Sequence, residues 1–162
     1  YRNITLQGLK PSKKYLDDMK IRGQKLYNFL KPHLPRKGSM LDVGSSVGLF
    51  LLPFLKNGWK CMANDPVESF VNYGRQKYGL PVEFMQSESM KLKKNSLDLI
   101  IIMGSLEHCY DPNKVLKLCA VCISETSGGQ LALFIIVLSF VILGLLNTSW
   151  KKNFKKEQKS SS

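Results

Sequence analysis

Asp42, Gly44, Ser45, Ser46 and Gly48 stand together in Leu41-Asp42-Val43-Gly44-Ser45-Ser46-Val47-Gly48, where an acid near the end of a short apolar stretch is followed by small residues that turn into a helix. Small residues let a ligand press against the backbone, and a helix start offers N–H groups that have no partner inside the helix. A dinucleotide site for hydride transfer would want Gly-x-Gly-x-x-Gly, and the register from Gly44 places Ser46 and Leu49 at the second and third glycines. That chemistry is weakened. A second acid, Asp65, precedes Pro66, and Glu107-His108 follows an apolar run. Each of these residues also has a plain structural reading. Asp42 could cap the following helix, Asp65-Pro66 could be only a turn, and His108 could hydrogen-bond a loop carbonyl. Cys119-Ala-Val-Cys122 has the spacing of half a zinc site. No second pair completes it, and Val115, Leu116 and Leu118 make the segment an apolar helix face, so no metal is expected.

The elements that must position these groups follow from periodicity. From Ser12 to Leu34 the residues Tyr15, Leu16, Met19, Leu26, Tyr27, Phe29 and Leu30 recur at helical spacing between Pro11 and Pro32, which predicts an amphipathic helix with a lysine-rich outer face. A packed helix is the plain expectation, and a lid in which Tyr15 and Tyr27 cover a site is the other. Strands are expected at 40–43, 60–64, 82–85 and 97–103, with helices over 49–56, 67–78 and 113–122. The almost unbroken apolar run at 97–103 suits a strand buried on both faces of a parallel sheet. Alternating strand and helix predicts an α/β fold, a Rossmann-like open, mostly parallel sheet with flanking helices. Ligands then bind beyond the carboxyl ends of the strands, where the strand order reverses.

The charge is +12 over 162 residues, but it is unevenly placed. Residues 1–38 hold ten Lys or Arg against two acids, residues 151–162 hold five Lys against Glu157, and the body between holds nine of each sign. A neutral body with basic ends gives no strong nucleic-acid signal, and no zinc finger, RNP-type aromatic strand or repeat supplies one. With 44% hydrophobic and 22% charged residues the chain can bury a core, which excludes disordered, collagen-like and disulfide-scaffold classes. Cys61, Cys109, Cys119 and Cys122 lie in apolar segments and no amino-terminal signal peptide is recognised, so a cytoplasmic, reducing compartment is expected. The start at Tyr1 suggests a fragment or processed product.

The ordered set of motifs resembles the class I S-adenosylmethionine-dependent methyltransferases. Asp42-Val43-Gly44-Ser45-Ser46-Val47-Gly48 resembles that family's acid-x-Gly-x-Gly-x-Gly, with Ser46 at the middle glycine. Asp65-Pro66 stands where the family's ribose-binding acid ends the second strand, and Leu97-Asp98-Leu99-Ile100-Ile101 resembles its fourth strand. Gly104-Ser105-Leu106-Glu107-His108-Cys109-Tyr110-Asp111-Pro112 resembles the segment after it, and Gly128-Gly129-Gln130-Leu131 the turn into a fifth strand. The resemblance implies S-adenosylmethionine as cofactor. It places Gly44, Ser45, Ser46 and Gly48 against the methionine portion, Asp42 toward its ammonium, and Asp65 with Pro66 at the ribose. Ser87 and Glu88 fall near the adenine, Gly104 and Ser105 close over the cofactor, and Glu107 and His108 face the substrate as catalytic candidates. The expected partner is a small-molecule methyl acceptor.

The chain departs from that family after the fifth strand, where only five of its seven strands can be placed. Residues 131–146 are an apolar run followed by Trp150 and a lysine-rich tail. Two readings exclude each other over 131–137, a fifth strand followed by an aberrant end and a membrane helix over 131–150. The division expected is thus a basic amphipathic helix (1–37), a cofactor-binding domain (38–137), and an apolar segment with its tail (138–162). The competing functions are a non-catalytic, truncated methyltransferase-like protein and a membrane-anchored interaction protein whose domain faces the cytoplasm.

Overall fold

The computed structural model describes residues 6–7, 10–34, 37–123 and 133–137. A small antiparallel hairpin, β1 (Leu6–Gln7) with β2 (Lys10–Pro11), leads into α1 (Lys13–Leu30). Ser12 caps α1, its hydroxyl accepting the Tyr15 N–H at 3.2 Å. The helix buries Leu16, Gly23, Tyr27 and Leu30, one stripe at spacings of three, four and seven. It stops earlier than the apolar pattern suggests. Pro32 has no N–H to continue the ladder, and residues 31–33 tighten into a 3-10 turn.

The remaining elements alternate: β3 (Ser39–Val43), α2 (Leu51–Lys56), β4 (Lys60–Asp65), α3 (Glu68–Tyr78), β5 (Val82–Phe84), β6 (Leu99–Met103), α4 (Pro112–Cys122) and β7 (Leu133–Val137). The main sheet has the order β5-β4-β3-β6-β7, and every pairing in it is parallel. This is the open, Rossmann-like α/β arrangement expected. The order reverses between β3 and β6, the place where such sheets bind ligands.

Side-chain alternation divides the interior. Met40, Leu99 and Ile101 join α1, α2 and α3 on one face, while Leu41, Val43, Ile100 and Ile102 meet Val115, Cys119 and Cys122 of α4 on the other. Leu99 through Ile102 are fully buried, as an unbroken apolar run between two helical layers must be. At the amino end of the sheet, Asp98 accepts the Ser39 N–H at 2.8 Å. Leu97 lies outside β6 and bridges Ile123, which ties the end of α4 to the start of that strand.

Residues 133–137 pair with β6 from Leu99↔Leu133 to Met103↔Val137. A membrane helix over 131–150 is incompatible with this strand. Among the described residues no helix is long and apolar enough to cross a membrane. The Gly128-Gly129-Gln130-Leu131 turn, the apolar residues after 137, Trp150 and the lysine-rich tail lie outside the described residues.

Candidate functional site

The turn after β3 is built from alternating left-handed residues. Gly44, Ser46 and Gly48 have φ of 68°, 55° and 83°. A glycine adopts such angles freely, whereas a serine there costs on the order of 1 kcal/mol. Space is as restrictive as angle. A Cβ on Gly44 would collide with the Ser105 side chain, and one on Gly48 with Val82. Gly74 of α3 is equally constrained, because a Cβ there would strike the Val47 carbonyl. The turn therefore sits in close contact with β5, α3 and the loop after β6. The helix expected from Leu49 begins at Leu51, since residues 49–50 complete the turn.

Hydrogen bonds join the ends of four neighbouring strands. The Ser46 N–H donates to Asp65 Oδ2 at 2.7 Å and the Val67 N–H to Asp65 Oδ1 at 2.8 Å. The Ser45 N–H donates to the Asn64 carbonyl at 2.9 Å. Asn64 Nδ2 in turn donates to Ser87 Oγ at 3.0 Å. On the other side the Ser105 hydroxyl donates to the Val43 carbonyl at 2.6 Å. Gly104, with φ of 68°, has open space where a Cβ would be, so angle alone calls for glycine there.

The two acids differ. Asp65 performs the turn role, bonding the N–H two residues on, and still has capacity. A carboxylate offers about four lone-pair sites, and two N–H donors leave room for a diol. Burial raises its carboxyl above the usual range, opposed by the bonds from Val67 and Ser46. Asp42 caps nothing. It is 3% exposed, and its carboxyl makes no hydrogen bond with another described residue. Burial, and then the neighbouring Asp65 charge, push its carboxyl up to about 7. Such a group holds either a proton or a cation. Two further buried polar atoms lack partners among the described residues, Ser45 Oγ and Asn64 Oδ1.

Glu88 is engaged by the neighbouring loop. Its Oε1 accepts the Asp111 N–H at 3.1 Å. Its own N–H, then those of Asp111 and Tyr110 with the Lys114 charge, hold its carboxyl below the usual range. Glu107 and His108 lie exposed on the 3-10 turn 106–108, just past Ser105. Pro66 is exposed beside Asp65. All the sequence-derived candidates thus lie at or just beyond the carboxyl ends of β3, β4, β5 and β6.

Two contributors, Asn64 and Cys109, escaped the sequence reading, and a third, Tyr15, entered it only as a possible lid residue. Asn64 is buried and links two strand ends, which its position opposite Val43 in the parallel register would reveal only once the pairing is known. The Cys109 thiol donates to the Ser105 carbonyl at 3.5 Å and is pushed up by burial and then by Glu88. Tyr15, on α1, donates its hydroxyl to Ser46 Oγ at 2.8 Å. Tyr27, its partner in the lid expectation, is instead a core residue packed edge-on against Phe54 at 4.9 Å. Among the described residues no cluster of three or more His, Cys, Asp or Glu side chains could hold a metal.

A family model for a methyltransferase domain matches residues 41–132. No curated protein matches the sequence. Among solved structures, a candidate S-adenosyl-L-methionine-dependent methyltransferase of Methanococcus maripaludis is similar at 15% identity and a TM-score of 0.55, over 70% of this chain and 59% of its own. A candidate methyltransferase solved with the Haloferax volcanii Trm112 methyltransferase activator is similar at 16% identity and TM-score 0.56, covering 69% and 53%. A SAM-dependent methyltransferase of Aquifex aeolicus reaches 25% identity and TM-score 0.50, covering 65% and 67%. The chain spans a little over half the length of the first two of these structures.

Proposed function

The chain belongs to the methyltransferase-domain family, and from that premise we propose that it binds S-adenosylmethionine at the carboxyl edge of β3 and β4 and transfers its methyl group to a small-molecule acceptor. The observation that carries this reading is Asp42, a buried carboxyl that bonds no other described residue and sits beside a turn of left-handed small residues. A cationic ammonium gives that carboxylate the partner it lacks. The orphaned Ser45 Oγ and Asn64 Oδ1 fit a ligand with its own donors.

In this reading the 44–48 turn cradles the methionine portion, Asp42 takes the ammonium, and the spare lone pairs of Asp65 accept the ribose hydroxyls. Ser87 borders the adenine, while Glu88 braces the adjoining loop through Asp111. When bound, S-adenosylmethionine supplies a methyl group on a positively charged sulfur. The chain's contribution is mainly to hold acceptor and methyl in line, an effect that can be worth about 7–11 kcal/mol in well-oriented reactions. Gly104 and Ser105 close the cofactor side. Glu107 and His108, both exposed past Ser105, are placed to accept an acceptor's proton where one must leave.

Calorimetric titration of S-adenosylmethionine into the wild type and an Asp65→Ala variant of matched fold tests this. We expect micromolar binding by the wild type and at least about a hundredfold loss in the variant, which removes both the diol acceptor and the Ser46 bond. A folded wild type that binds nothing would refute it. Binding without transfer to any acceptor would instead favour the non-catalytic reading.

A further inference from the structure

We propose that Tyr15 is a positioning residue for the cofactor turn: its hydroxyl, bonded to Ser46 Oγ, holds residue 46 in the left-handed conformation that shapes the 44–48 turn. This rests on the reading of that edge as an S-adenosylmethionine site and makes α1 a working part of it.

Ser46 is one of two non-glycine residues with positive φ among the described residues, and the other, Asn95, is of a type that tolerates it. Ser46 is held from both ends. Its N–H is fixed on Asp65 Oδ2 and its side chain on the Tyr15 hydroxyl. Tyr15 is itself held firmly, its ring stacked on Phe70 of α3 at 6.3 Å and 16°. The helix that carries it is seated by Gly23, whose Cβ would lie 3.1 Å from the Phe50 backbone and 3.3 Å from the Leu49 carbonyl. These contacts converge on one peptide. Glycine at position 46 would need no help to adopt φ of 55°, but serine does, and its hydroxyl is the handle by which α1 supplies it. Without that bond, residue 46 can relax toward negative φ. Its N–H would then turn away from Asp65, loosening the acid and the turn together.

The test uses the full chain as wild type, Tyr15→Phe, Ser46→Gly and the double variant, with S-adenosylmethionine calorimetry and amide hydrogen exchange across 45–48. Phenylalanine keeps the stack on Phe70, so only the hydroxyl is lost. Tyr15→Phe should bind about fivefold more weakly and exchange faster at 45–48, with α1 exchanging as before. Ser46→Gly sets its own baseline of binding and exchange, and the double variant should match that baseline, because glycine removes the need for the hydroxyl. Equal weakening by Tyr15→Phe in both backgrounds would overturn the proposal. So would unchanged exchange at 45–48 in Tyr15→Phe. Should the wild type bind no S-adenosylmethionine, the functional reading fails while the exchange comparison still decides this one.

Discussion

Around the ends of β3, β4 and β5 polar side chains are buried in the fold, whereas the segment after β6 presents Glu107, His108 and Tyr110 to solvent. Asp42, Ser45, Asn64, Asp65 and Ser87 are the buried polar or charged residues among those described, and all five lie on the first stretch. Tyr110, by contrast, is 94% exposed. Burying polar groups is costly unless they are satisfied, so their concentration at one edge marks a place kept polar for a ligand. On the proposed reading, the difference means that the half assigned to the cofactor is already built in the free chain. The half assigned to the acceptor is open to solvent.

Three experiments can break or sharpen this contrast. The largest effect is expected from Gly44→Ala, which adds a Cβ into the Ser105 side chain at φ of 68°. We expect about 3 kcal/mol of lost stability, read as a fall of roughly 6–12 °C in the thermal midpoint. A change within about 1 °C would mean that the turn is not held against the loop after β6.

Next is Asp42→Asn. The folded acid, near pH 7, retains a proton that the unfolded acid, at 3.8, releases. Stability contributed by that proton therefore falls as pH rises from about 4 to about 7 and is then level. The asparagine variant should match the wild type near pH 4 and exceed it by at least about 3 °C at pH 8. It should also lose the roughly tenfold gain in S-adenosylmethionine affinity between pH 6 and pH 8 that the proposed pairing of ionised Asp42 with the ammonium gives the wild type. Parallel pH profiles for the two proteins would contradict a buried, ligand-facing Asp42.

The smallest effect on binding belongs to Glu107→Gln and His108→Ala. Both side chains are exposed, so cofactor affinity should change less than about twofold while methyl transfer falls by at least about tenfold. Weakened cofactor binding with intact transfer would erase the division between the two halves.

The parts of the fold that could be read from the sequence are those fixed by local chemistry. Strands at 40–43, 60–64 and 97–103 announce themselves as short apolar runs, and α1 by its stripe of Leu16, Tyr27 and Leu30. The candidate residues fell on one edge because each ends a strand or lies within a few residues of a strand's end. What could not be read depends on contacts distant along the chain. Nothing near Tyr15 indicates that its hydroxyl reaches Ser46, 31 residues on. Nor does Cys109, read as part of an apolar segment, show by itself that it meets the Ser105 carbonyl. The apolar run from 131 lacks a period that separates strand from membrane helix. The decision at 133–137 comes from β6, whose outer edge needs a partner. The hairpin at 6–7 and 10–11 is too short to carry a periodicity at all.

The strand order also sets a timetable. β3 pairs with β4 over a separation of 21 residues, Ser39↔Lys60, but with β6 over 59, Met40↔Leu99. Closing the longer loop costs more chain entropy, and such non-local pairing slows folding. During synthesis β3, β4 and β5 can assemble first, with one edge of β3 unpaired until β6 emerges. An open edge next to the fully apolar Leu99–Ile102 run is the point at which a nascent chain would aggregate or engage a chaperone.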